Sequence, residues 1–128
     1  MGTTTINPFV MDDMPFDSLK AWTPIAEAGS MPLVLVVNPE KTPVKDLAEL
    51  IAYAKSHPGK VTFGSAGIGS SYAITMFLLG NEAGVQFTHV PYKGTAPAVS
   101  DVQAGELTVM VPDVGLVRSQ IESGKLRA

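Results

Sequence analysis

The sequence predicts an α/β fold, a mostly parallel sheet with helices on both faces. Three observations predict it. Strand-like apolar runs and helix-spaced apolar runs alternate along the chain. The connections between them are short, and strands joined through helices run parallel. The first run, Leu33-Val34-Leu35-Val36-Val37, is apolar on both faces, as a strand buried inside such a sheet must be.

Residues 1–30 have no sustained period. Pro8, Pro15, Pro24 and the Asp12-Asp13 pair punctuate them, so an irregular N-terminal segment with turns is expected. After the first strand, closed by Asn38-Pro39, Asp46-Leu47-Ala48-Glu49 reads as a capping box. Leu47, Leu50, Ile51 and Ala54 follow at helical spacing, and His57-Pro58-Gly59 ends the helix. A short strand at Val61-Thr62-Phe63 leads into a glycine-serine loop, Gly64 to Ser71. The next helix runs from Ser71 to Glu82 and stops at Gly84. It is apolar nearly all round, so it is buried on most faces or packs against something further. Gln86 to Val90 is a strand, Pro91 to Gly94 a turn, and Pro97 to Gln103 a helix ending at Gly105. Leu107 to Val111 is a strand, and Leu116 to Glu122 a last helix ending at Gly124. The whole, residues 1–128, is expected to form a single α/β domain.

Composition excludes several functions. The chain has 45% hydrophobic and 16% charged residues, which suits a folded core. A net charge of −3, with nine Lys and Arg scattered along the chain, gives no nucleic-acid surface. The absence of cysteine excludes disulfides, zinc–thiolate sites and thiol catalysis. No stretch approaches the ~20 apolar residues that span a bilayer. The residues from Met1 to Pro8 lack the basic region and apolar core of a signal peptide, so the chain either stays inside the cell or is a piece of a longer exported precursor.

In open α/β sheets, ligands bind beyond the carboxyl ends of the strands, where helices begin. The richest such junction is Gly64-Ser65-Ala66-Gly67-Ile68-Gly69-Ser70-Ser71. Its glycines allow close backbone approach, and a helix N-terminus offers unpaired N–H groups to an anion. Ser65, Ser70 and Ser71 add hydroxyls, although a plain tight turn with a serine cap explains the same residues. No lysine follows Gly69, and Tyr72 stands where a dinucleotide fingerprint needs its third glycine, so nucleotide binding is not expected. At the second junction, Val90 to Pro97, Thr95 reads as an N-cap and Pro97 fits the first helical turn. Lys93 there reads as a solvated charge. At the third, Val111 to Gly115, Asp113 is a helix cap or a weaker ligand contact. His57 is expected to face solvent and His89 to be a hydrogen-bonded core residue. No nucleophile–base pair, metal set or cofactor motif is found.

One long resemblance runs through the chain. Val90-Pro91-Tyr92-Lys93-Gly94-Thr95-Ala96-Pro97-Ala98, then Gly105 to Val111, then Gly124-Lys125-Leu126-Arg127-Ala128 resemble the TctC-like, or Bug-type, receptors of tripartite tricarboxylate transporters. Asn7-Pro8, Leu35 to Pro39, Leu47 to Lys55, Pro58 to Val61 and the Ser65 to Ser71 loop fit the same pattern in order. The resemblance implies a three-layer lobe of a type II periplasmic-binding-protein fold. It also implies a non-enzymatic receptor whose cleft holds a dicarboxylate, tricarboxylate, amino acid or aromatic acid for membrane transporter subunits. Carried over by position, the contacts are Ser65, Gly67, Gly69, Ser70, Ser71, Thr95 and Ala96, with Asp113 weaker. Ile68 stands where the family often has Asn, and favours a less polar ligand. Ala73 and Phe77 depart from the family's usual His and acidic residue. By the same resemblance this is lobe 2 of a two-lobed periplasmic receptor, without its first lobe, so weak binding or none is expected.

Two other readings stand beside it. A stand-alone lobe could self-associate, as a homodimer, through its nearly all-apolar helix. A small carboxylate enzyme with Ser65 or Ser70 as nucleophile lacks a base placed by sequence.

Overall fold

A computed structural model describes residues 5–10, 13, 15–18 and 20–128. Asp12, read as part of a turn, lies outside the described residues. The N-terminal segment carries one helical turn, α1 (Asn7–Val10), where only irregular chain was expected. Residues 21–32 form no helix or strand, and all of them are exposed.

Four strands and four longer helices then alternate: β1 (Val36–Val37), α2 (Leu47–Ser56), β2 (Thr62–Ser65), α3 (Ser71–Ala83), β3 (Thr88–Pro91), α4 (Thr95–Ala104), β4 (Val109–Met110) and α5 (Val114–Glu122). The sheet order is β1-β4-β2-β3. β2 pairs in parallel with both β3 and β4, and β1 alone runs antiparallel, against β4. The sheet is therefore mostly parallel, as the alternation requires. Leu33 bridges Asp113 and Arg127 bridges Val37, so the first apolar run touches the sheet beyond the two residues of its ladder.

Strand alternation sends successive residues to opposite faces and divides the core in two. On one face Val37, Phe63 and Val109 pack with Leu50 and Ala54 of α2 and with Ala73 and Met76 of α3. On the other, Val36 and Met110 pack with Ala98, Val99 and Val102 of α4 and Val117 of α5. Each fully buried Val, Leu, Phe or Met side chain among them stabilises the fold by roughly 1.5–3 kcal/mol. Gly64 sits at a close approach of these layers, since a Cβ there would lie 2.6 Å from Leu107 and 3.2 Å from Ala98.

The helix limits follow from their caps. The Asp46 carboxylate accepts from the Glu49 N–H at 2.8 Å, and Glu49 reaches back to the Lys45 N–H at 2.8 Å. Gly84 and Gly105 end α3 and α4 in the left-handed conformation, at φ 64° and 82°. α3 is not buried all round: Phe77 and Leu78 are about half exposed, at 46% and 59%.

Candidate functional site

The parallel strands end together, so the N-termini of α3, α4 and α5 gather at one edge of the sheet. The three junctions picked out in the sequence meet there, but their hydroxyls are used differently from what residue type implied.

Ser65 and Gly64 belong to β2, not to the loop, and Ser65 is fully buried. The Ser65 hydroxyl donates to the Gly67 carbonyl at 2.9 Å and accepts the Gly67 N–H at 3.1 Å. His89 Nε2 lies 2.6 Å from the same oxygen. With the serine proton directed to Gly67, this network requires His89 to carry its own proton on Nε2. The serine is thus held by a donor rather than by a base, the reverse of a nucleophile's arrangement. His89 is hydrogen-bonded on its strand as expected from sequence, but it is half-buried at the sheet's outer strand rather than a core residue. Its ring stacks on Phe63 at 4.7 Å and meets the edge of Phe77 at 5.5 Å. Burial holds its imidazole below the ordinary value.

Ser70 closes the loop. Its hydroxyl donates to the Gly67 carbonyl at 2.7 Å and caps α3 by accepting the Ala73 N–H at 3.3 Å, while its own N–H reaches the same carbonyl at 3.2 Å. Gly67 has φ 114°, a conformation open to glycine and costly to other residues. Ile68 caps the turn with its side chain 65% exposed, beside the partly buried Gly69 and Ser71.

At the second junction Gly94, not Thr95, is the N-cap of α4. Having no side chain, it makes no capping bond, and Thr95 is already helical. The first-turn N–H groups of Thr95 and Ala96 have no intrahelical acceptor, as at any helix start. Tyr92 braces this helix, its phenol donating to Asp101 at 2.5 Å. Burial first, and that bond second, push the Tyr92 phenol up to about 12.

At the third junction Asp113 precedes α5 but makes no side-chain cap. Its carboxylate instead accepts from the Tyr72 phenol at 2.5 Å, and burial followed by that bond raises the phenol's pKa. Tyr72, noted in the sequence only as a missing glycine, therefore ties α3 to the start of α5. The Val114 N–H goes to the Pro32 carbonyl at 3.0 Å, leaving that helix start partly occupied. A cavity of about 270 Å³ opens beside it, lined by Ser30, Met31, Pro32, Asp113, Val114, Gly115 and Leu116.

Of the residues expected to touch a ligand, Gly67, Ile68, Gly69, Ser70 and Ser71 lie on one loop, and Thr95 and Ala96 open the neighbouring helix. The Ser65 side chain is sealed beneath the loop. No group of three or more His, Cys, Asp or Glu side chains is placed to hold a metal among the described residues. Nor, among them, is any helix long and apolar enough to cross a membrane.

Comparison with known proteins places this geometry. The family model described as tripartite tricarboxylate transporter family receptor, TctC, matches residues 1–128. A UPF0065 protein from the tcbD-tcbE intergenic region of Pseudomonas sp. (strain P51) is 37% identical over 123 residues, or 96% of this chain and 36% of the relative. The chain thus spans little more than a third of that relative's length. A solved periplasmic transporter superposes with a TM-score of 0.90 at 33% identity, covering 99% of this chain and 42% of its own. MatC from Rhodopseudomonas palustris, solved with bound malate, gives 0.86 at 28% identity over 99% of this chain and 43% of its own. The sheet and its flanking helices are therefore a periplasmic-binding-protein fold. This chain belongs to the TctC receptor family of tripartite tricarboxylate transporters, a family of periplasmic solute receptors and not of enzymes.

Proposed function

We propose that residues 1–128 form one ligand-binding lobe of a receptor that captures a small organic carboxylate and delivers it to a tripartite tricarboxylate transporter. The observation that carries this is the convergence of the Gly67–Ser71 turn and the α4 start at one sheet edge, where backbone N–H groups have no internal acceptor among the described residues. Such groups at helix N-termini suit an anion. The malate held by MatC makes a dicarboxylate the first ligand to try. Capture rests mainly on the N–H groups of Ile68, Gly69, Ser71, Thr95 and Ala96. Asp113 is engaged by Tyr72 and contributes less. Closure against a first lobe would supply the remaining donors and exclude water, so the isolated lobe binds weakly.

Amide shifts recorded during titration with malate, citrate, glutamate and benzoate test this reading. Changes confined to residues 66–71 and 95–96 support it. Saturating ligand that leaves those amides unmoved would sink it.

The half-exposed Phe77 and Leu78 on α3 favour a second reading, self-association of the lobe. Light scattering decides it, because a strict monomer at high concentration excludes a homodimer through this face.

A further inference from the structure

The Gly67 carbonyl is the hub of the loop. It accepts from the Ser65 hydroxyl, the Ser70 hydroxyl and the Ser70 N–H, at 2.9, 2.7 and 3.2 Å. Ser65, the first of these donors, is fully buried beneath the turn, so the carbonyl it holds faces inward. A trans peptide is planar, and its C=O and N–H point in opposite directions. Turning the Gly67 carbonyl inward therefore turns the Ile68 N–H outward, on the side where the Ile68 side chain is exposed. Among the described residues no group accepts from that N–H.

Beside the two Ser70 donors, the inward carbonyl is held by the Ser65 hydroxyl, whose rotor decides whether it donates. A serine hydroxyl has one proton, which could go to His89 or to Gly67. In its Nε2–H tautomer His89, 2.6 Å away, anchors that oxygen by donating to it and leaves the serine proton for Gly67. His89 is itself fixed by its place in the sheet. It lies opposite Phe63 in the parallel register, two positions before the level of Ser65, and is stacked on the Phe63 ring.

We infer that His89 and Ser65 are positioning residues for anion capture, because together they hold the Gly67 carbonyl inward and so aim the Ile68 N–H at a ligand carboxylate. Neither side chain touches the ligand. The inference rests on the proposed carboxylate site and concerns one of its amides and the side chains that support it.

Three variants of the 128-residue chain test it with malate as the probe. His89→Phe keeps the stack on Phe63 but removes the donor. His89→Gln keeps a side-chain N–H donor. Ser65→Ala removes the relay and leaves the histidine. Losing one charge-assisted hydrogen bond corresponds to about a tenfold weaker affinity. That loss is expected for His89→Phe and Ser65→Ala, with the Ile68 amide resonance displaced in the free protein and the Thr95 and Ala96 resonances in place. His89→Gln is expected to recover most of the affinity and the Ile68 resonance, which a purely packing role for the ring would not allow. Wild-type affinity and an unmoved Ile68 amide in both His89→Phe and Ser65→Ala would overturn the inference. A failure of the proposed function looks different: malate and the other carboxylates then leave the wild-type amides unmoved. The Ile68 resonance of the free variants still reports whether the pair holds the loop. If His89→Phe does not fold, Ser65→Ala, which leaves the aromatic stack whole, decides the matter alone.

Discussion

After β2 the chain folds its own hydroxyls onto the Gly67 carbonyl and caps α3 with Ser70. After β3 it reaches α4 through Gly94, which has no side chain to offer. One junction is closed and rigidly self-bonded, and the other is left open. The difference shows two ways to present backbone donors at a sheet edge. The closed loop fixes where its outward N–H points, while the open helix start keeps its N–H groups vacant.

The largest effect is expected from breaking the closed junction at its strained residue. At Gly67 a Cβ would meet nothing within 4 Å, so Gly67→Val tests backbone strain alone, at φ 114°. A loss of about 1–3 kcal/mol in chemical denaturation is expected, together with loss of carboxylate-induced amide shifts. Wild-type binding by this variant would remove the loop from the site. Next comes Ser70→Ala, which deletes the α3 cap and one donor to Gly67. It should lower stability by about 1 kcal/mol in urea unfolding.

The open junction is sharpened by closing it. Gly94 is in an extended conformation with open space around its missing Cβ, so Gly94→Asp fits without strain. A carboxylate there caps α4 and should stabilise the fold by about 0.5 kcal/mol. The same variant should abolish the response of the Thr95 and Ala96 amides to malate. A more stable protein that binds less well is the signature of a helix start left uncapped for a ligand.

The smallest effect is a pH dependence confined to the closed side. Burial lowers the folded pKa of His89 below its ordinary 6.5. The unfolded chain therefore takes up a proton first as pH falls. Stability from neutral His89 is complete above about pH 6.5 and is lost as pH drops from there through the lower folded value. Thermal unfolding should show this acid-side decline, and His89→Phe should reduce it.

Much of the fold was legible because it is written in local chemistry. The Asp46 box, the Ser70 cap and the stops at Gly84 and Gly105 each act within a few residues. The antiparallel setting of β1 was not legible, since it depends on pairing with β4, some seventy residues away. Assigning the α4 cap to Thr95 missed by one residue, as capping preference ranks threonine with glycine and does not fix the helix start. The loop and the helix start that make up the candidate site were legible as local structure, but the fate of their hydroxyls was not. Ser65 looks like a ligand donor until the β2–β3 register brings His89 to it. Tyr72 finds Asp113 only across 41 positions of sequence.

The outer strand β3 has a further consequence, for aggregation. The Thr88 and Tyr92 N–H groups point inward, to Val61 and Ser65 of the β2 side. By alternation the outward positions are His89 and Pro91, and proline has no N–H. Within β3 the free edge of this sheet thus offers one backbone donor, from His89, to any stray strand that docks on it. A ladder begun there finds carbonyl acceptors but no second donor within β3, so accretion of chains along it is discouraged without any charged gatekeeper on the strand.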